Sequence, residues 1–196
     1  PVDKETFSTF RLDYYSSQPD SRFGLSPRQM AQANLQRCRS FAEHFGSSYE
    51  NLLLYGSAGL GKTFLSSCIA RTVTERGFSV TYDTAISIFD QYNAVKFRTG
   101  DPAAAAHAVE RFRSADLLIV DDLGTEMPSS FHTSCLYDLI SRRLMSRKPT
   151  ILSTNLLPAE LENRYSQAIA SRILGEFTQL RFIGSDIRRI RKQQRL

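Results

Sequence analysis

The sequence predicts an α/β fold with one parallel sheet covered by helices on both faces. Three observations point there. Short apolar runs alternate with amphipathic stretches along most of the 196 residues, the first such run, "NLLLYG", enters a glycine-rich loop, and a later one, "DLLIVDD", ends on two adjacent carboxylates. Strands that are apolar on both faces belong inside a parallel sheet, where crossover helices bury them. With 41% hydrophobic residues the chain can bury one substantial core, so a single domain with at most a small appendage is expected.

Residues 1–25, rich in Ser, Asp, Phe and Tyr without periodicity, read as an irregular lead-in to a domain spanning 26–196. A helix is expected from Ser26, with Pro27 in its first turn and Met30, Ala33, Leu35, Cys38 and Phe41 toward one side. After the strand "NLLLYG" comes the helix "KTFLSSCIARTVTERG", with Phe64, Leu65, Cys68, Ile69 and Val73 on one face and Gly77 ending it. The strand "FSVTYDT" follows, then a helix, a turn at Gly100 to Pro102 and a second helix. "DLLIVDD" is the next strand, "FHTSCLYDLISRRLMSR" a helix and "PTILSTN" a strand; "NRYSQAIASRIL" and "GSDIRR" read as short helical segments.

Composition excludes several classes. No run approaches the ~18 apolar residues of a membrane span and no charged start precedes an apolar stretch, so a cytoplasmic protein without membrane contact is expected. Cys38, Cys68 and Cys135 are widely separated, which favours small core residues over zinc or redox chemistry. The net charge of +5 is localised. From Arg181 to Leu196 six basic residues face the single acid Asp186, leaving nineteen residues of each sign in the remainder. An excess confined to one tail suits a local anionic partner.

"GSAGLGKT", Gly56 to Thr63, fits G-x-x-x-x-G-K-[ST] between an expected strand and an expected helix, the context that makes the pattern a P-loop. Gly56, Gly59 and Gly61 let backbone N–H groups close around phosphate oxygens, and the helix N-terminus adds partial positive charge. The nucleotide-binding set is Gly56, Ser57, Ala58, Gly59, Leu60, Gly61, Lys62, Thr63 and Phe64, with ATP and Mg²⁺ as cofactors. Lys62 would neutralise the β and γ phosphates, and the Thr63 hydroxyl would bind Mg²⁺.

Two adjacent carboxylates at a strand end are costly unless something positive faces them. In the P-loop scheme Asp121 presents an acid to the Mg²⁺ shell, and Asp122 could orient and deprotonate the attacking water, or simply cap a turn. Asn155, after "ILSTN", could hold the lytic water or close an Asx turn. Arg172 and Arg188 suit transition-state charge on a phosphoryl group, although surface positions are the ordinary place for arginine. Lys96 and Arg98 around Phe97 form a basic and aromatic cluster able to pair with phosphate and stack on a base; a helix end with a buried Phe competes.

The ordered set "TFSTFRLDYY", "NLLLYGSAGLGKTFLSSCIA", "SVTYDTA", "DLLIVDDLGTE", "ILSTNL", "ASRIL" and "GSDIRR" resembles the AAA+ ATPases of the DnaC/DnaI helicase-loader group, which includes the IstB transposition ATPases. The resemblance covers nearly the whole chain. It implies a three-layer sandwich, a strand inserted between the P-loop strand and the acid strand, a reduced or absent lid, and self-assembly into a ring or spiral with ATP between subunits. It makes Lys62 and Thr63 the Walker A contacts, Asp121 the Mg²⁺-associated acid, Asp122 the catalytic acid and Asn155 the first sensor. By the same resemblance Arg172 is an arginine finger reaching a neighbour's ATP, and Arg188 a second sensor in cis. Single-stranded DNA would meet the segments "VKFRTG" and "TEMPSSF", hence Lys96, Phe97, Arg98, Ser129 and Phe131. Aspartate at position 122, where many AAA+ proteins have Glu, suits a slow switch better than a motor. The implied partner is a replicative helicase, gripped through an N-terminal region expected to lie outside this chain, which begins at Pro1. The alternatives are a transposition regulator, a monomeric P-loop phosphotransferase acting on a small molecule, and a nucleotide-binding scaffold that never hydrolyses.

Overall fold

A computed structural model describes residues 5–193. Its centre is a five-stranded, all-parallel sheet in the order β2-β3-β4-β1-β5, with β1 at Leu52–Tyr55, β2 at Val80–Thr84, β3 at Leu117–Leu123, β4 at Thr150–Thr154 and β5 at Thr178–Arg181. The inserted strand is β4, which separates the P-loop strand β1 from the acid strand β3.

Helices occupy both faces. Because side chains alternate across a strand, Leu52, Leu54, Leu117, Ile119 and Ile151 bury against α1 (Pro27–Glu43) and α2 (Lys62–Glu75) on one side. Leu53, Leu118, Val120 and Leu152 face the other way, toward α3 (Ala85–Phe97), α4 (Pro102–Ser114), α5 (Ser130–Met145) and α7 (Gln167–Glu176). Two short helices complete the chain, α6 at Pro158–Arg164 and α8 at Ile187–Gln193. Among the described residues α8 is the only element after β5.

The buried stripe of α1 differs from the expected one. It runs through Pro27, Ala31, Asn34, Cys38, Phe41 and Ala42, while Ala33 is exposed. Asn34 lies inside because its amide Nδ2 donates to the Arg181 carbonyl at 2.7 Å, tying α1 to β5. An amide in the stripe hides the true 3.6-residue period from an apolar count. The three cysteines are free and buried, as expected of core residues.

The lead-in contains two 3-10 turns, Phe7–Thr9 and Leu12–Tyr14, and it packs on the glycine loop. Tyr15 is buried and its hydroxyl donates to the Leu60 carbonyl at 2.8 Å, while Phe10 packs edge-on against Phe64 with ring centroids 5.5 Å apart.

Candidate functional site

The loop Gly56–Gly61 leaves the C-terminal end of β1 and enters α2 at Lys62, the strand–loop–helix setting that places helix N–H groups toward an anion. Its walls are tight. A Cβ on Gly56 would lie 2.2 Å from the Phe182 carbonyl oxygen, and one on Gly59 would lie 1.9 Å from a carboxylate oxygen of Asp186. The loop turns at Ala58 and Gly59 just before the helix N-terminus, so its successive backbone N–H groups form a run of donors of the kind that suits phosphate oxygens.

Lys62 is 5% exposed and donates to the carbonyls of Gly56 and Ser57 at 2.6 and 2.8 Å and to Asn155 Oδ1 at 2.8 Å. Burial pulls its ammonium down to about 8, with Asp122 and Asp121 opposing and Arg188 adding to the depression. Lys62, both acids, Asn155 and Arg188 therefore share one neighbourhood at the strand ends.

Asp121 is buried at the end of β3, with Oδ2 accepting from the Tyr82 hydroxyl at 2.8 Å and Oδ1 from the Ser153 hydroxyl. Asp122 is half-buried, and its N–H donates to Asp121 Oδ1 at 3.1 Å and Ser153 Oγ at 3.2 Å. The β3–β4 register shifts between Val120 and Leu123, and Asp122 adopts φ +54°, so the two carboxylates leave the strand in different directions. Burial and the Asp121 charge hold the Asp122 carboxyl above the ordinary carboxylate range, against the pull of Lys62 and Arg188.

The exposed Thr63 opens α2. A hydroxyl and a buried carboxylate are hard oxygen donors of the kind Mg²⁺ takes alongside phosphate and water, so Thr63 and Asp121 fit that ion. Arg188, in α8, is exposed and held by Asp186, which accepts its N–H at 2.9 Å and approaches its Nε at 3.5 Å. Arg172 stands apart on α7, its Nη2 donating to the Tyr137 hydroxyl at 2.9 Å with the guanidinium 4.8 Å from that ring's centroid.

The two segments singled out for nucleic acid meet. Lys96 Nζ lies 3.8 Å from the Phe131 ring centroid and 5.2 Å from that of Phe97, and the two rings are 6.3 Å apart. Phe97 is 62% exposed, so the expected competitor, a buried Phe, does not hold there. Arg98 ends α3 in the left-handed region with φ +52°, and the Ser129 hydroxyl caps α5 by accepting from His132 N at 3.4 Å.

Sequence reasoning missed Tyr82 and Ser153 on Asp121 and Tyr15 on the glycine loop. Ser153 had a signal: a serine inside the otherwise apolar "TILST" needs a buried partner.

A model of the family described as IstB-like ATP binding protein matches residues 21–194. The chain belongs to this family. It is an AAA+ ATPase-fold protein of the DnaC/IstB group. The replicative helicase loader DnaC of Escherichia coli K12 is 25% identical over 141 residues, 71% of this chain and 56% of DnaC. An insertion-sequence protein of Mycobacterium tuberculosis named as ATP-binding is 28% identical over 116 residues, 56% of this chain and 42% of that protein. This IstB-like chain thus spans about half the length of the curated relatives it matches. A solved structure of the DnaC helicase loader superposes with TM-score 0.73 at 19% identity, covering 93% of this chain and 98% of that one. Replication initiator DnaA bound to AMPPCP and single-stranded DNA gives 0.72 at 19%, covering 98% and 55%. These likenesses carry the fold. Among the described residues, no helix is long and apolar enough to cross a membrane.

Proposed function

We propose that this chain is an ATP-dependent loader of a replicative helicase, working at single-stranded DNA in the cytoplasm during initiation of DNA replication. The observation that carries the ATPase part is the joining of Lys62 to Asn155 beside Asp121 and Asp122, which brings a phosphate-neutralising cation, an amide and two acids to the C-terminal ends of β1, β3 and β4. ATP would be held by Gly56–Phe64, and Mg²⁺ by Thr63 and Asp121. The ion would supply charge neutralisation between the phosphates. Asp122, with its raised pKa, accepts a proton from the attacking water; Asn155 orients that water; Arg188 reads the nucleotide in cis.

Arg172 has no part in its own site and serves a neighbour's, so the working form is a ring or spiral. Lys96, Phe97, Arg98 and Phe131 offer cations and exposed rings to phosphates and bases, with the Ser129 hydroxyl beside them. DnaC at 71% coverage supports the loader reading. The family model and the insertion-sequence relative favour a second one, a transposition ATPase that recruits a transposase.

The two readings part on the partner. The purified chain with ATP, Mg²⁺ and single-stranded DNA should retain the host's replicative helicase in a pull-down and promote its loading onto circular single-stranded DNA. Retention of a transposase with no effect on helicase loading would overturn the loader reading in favour of the second. ATP hydrolysis that is independent of protein concentration and untouched by Arg172→Ala would instead indicate a monomeric phosphotransferase.

A further inference from the structure

Glu126 is a buried carboxylate that the proposed chemistry does not use. It is 7% exposed, although its neighbour Met127 is 83% exposed, so the loop after β3 turns this one side chain inward. Its Oε2 accepts from Gly124 N at 2.9 Å, and its Oε1 accepts from Arg164 Nη2 at 3.1 Å and the Tyr165 hydroxyl at 2.5 Å. Arg164 also donates to the Glu126 carbonyl.

These partners lie at a junction. Arg164 ends α6, Tyr165 follows it, and Ser166 starts α7, where Arg172 sits two turns on. The other end of α6 begins three residues after Asn155, the amide that holds Lys62. On the acid side, the Asp122 carbonyl accepts from both Thr125 N at 3.3 Å and Thr125 Oγ1 at 2.8 Å, so Glu126 stands on a turn built from Asp122 itself. The helix pair carrying Arg172 is thus tied to its own nucleotide site at two points, one through Lys62 and Asn155 and one through Glu126.

A buried ion pair is a poor way to gain stability, since well-packed apolar side chains do as well; a charge fixed by several donors is a good way to fix position. We infer that Glu126, through Arg164 and Tyr165, is a positioning residue that sets the pose of α7 and so aims Arg172 at a neighbouring subunit. The inference rests on the shared-site reading of Arg172.

The test separates donor from recipient. Arg172→Ala subunits keep an intact nucleotide site without a finger, and Asp122→Asn subunits keep a finger beside a disabled site; mixed, they should recover ATP hydrolysis. Glu126→Gln is added to one background at a time, and Tyr165→Phe, which removes a single hydroxyl, is run in parallel in case the first variant folds poorly. Placed in the Asp122→Asn donor, each should cut the recovered rate by on the order of tenfold, the scale expected of a displaced charge. Placed in the Arg172→Ala recipient, each should cost far less, because the bonds from Thr125 to the Asp122 carbonyl that hold the acid's turn do not use the Glu126 side chain. Full recovery with altered donors, or equal loss in both backgrounds, would overturn the inference. No recovery from the unmodified pair would remove the shared-site reading beneath it.

Discussion

At residue scale the decisive position is Asp122. The residue sits at a register break with φ +54°, a left-handed conformation that Asp and Asn reach far more readily than longer side chains. The backbone therefore gives its own reason for aspartate at this position. Asp122→Glu should lengthen the acid and strain the loop by roughly 1 kcal/mol, visible as a lower thermal midpoint. Asp122→Asn should leave nucleotide binding in place and lower hydrolysis by a hundredfold or more, about what a general base contributes. Because the Asp122 carboxyl is held above the ordinary range by burial and the Asp121 charge, its titration in the chain free of Mg²⁺ and nucleotide, followed by NMR, should lie above that of a free aspartate. Lys62 makes a second pH prediction. Its ammonium, pulled to about 8, is largely charged at neutral pH and loses its proton as pH rises through that value, whereas a lysine against phosphates stays charged. ATP affinity should thus fall above pH 8, by up to about tenfold per pH unit, and binding there should take up one proton, measurable by calorimetry in buffers of different ionisation enthalpy.

At element scale, what was legible followed periodicity. "NLLLYG", "DLLIVDD" and "TILST" announce themselves because a strand buried on both faces must be apolar throughout, and the glycine loop follows from its spacing. β5 was not legible: "TQLR" is an edge strand with two exposed residues, and its pairing with β1 is a property of the sheet, not of those four side chains. Asp121, Asp122 and Asn155 could be picked out as polar residues closing apolar strands. The support that Tyr82 gives Asp121 could not, because a tyrosine inside an expected strand does not name its partner. Arg143 shows the same limit. It is 1% exposed and reads as one more charge on an amphipathic helix, yet its guanidinium binds Thr150 Oγ1 and the carbonyls of Phe112, Arg113, Ala115 and Pro149 at 2.7 to 3.2 Å. It staples the end of α4 to α5 and β4. Arg143→Ala strands those carbonyls and opens a cavity, and should cost about 3 kcal/mol or more in denaturant unfolding, while Arg142→Ala, at an exposed helix pair, should cost under about 1 kcal/mol.

At the scale of the whole molecule, the sheet order gathers Lys62, Asp121, Asp122 and Asn155 at the C-terminal ends of the adjacent strands β1, β3 and β4, with Arg188 nearby and Arg172 on α7. The exposed Phe97 and Lys96 lie on the α3–α5 side, apart from the nucleotide loop. Phe97→Ala should weaken single-stranded DNA binding by about 1–3 kcal/mol with little change in salt dependence; Lys96→Ala should reduce the salt slope by about 0.7, both read by fluorescence anisotropy. On the proposed shared-site reading, a molecule so arranged would complete its catalytic set by meeting another copy. The most direct test is ATP hydrolysis by an equimolar mixture of Arg172→Ala and Asp122→Asn chains at saturating Mg²⁺ and single-stranded DNA. A shared site predicts a rate well above that of either variant alone and rising with protein concentration; a mixture no faster than its components would contradict it.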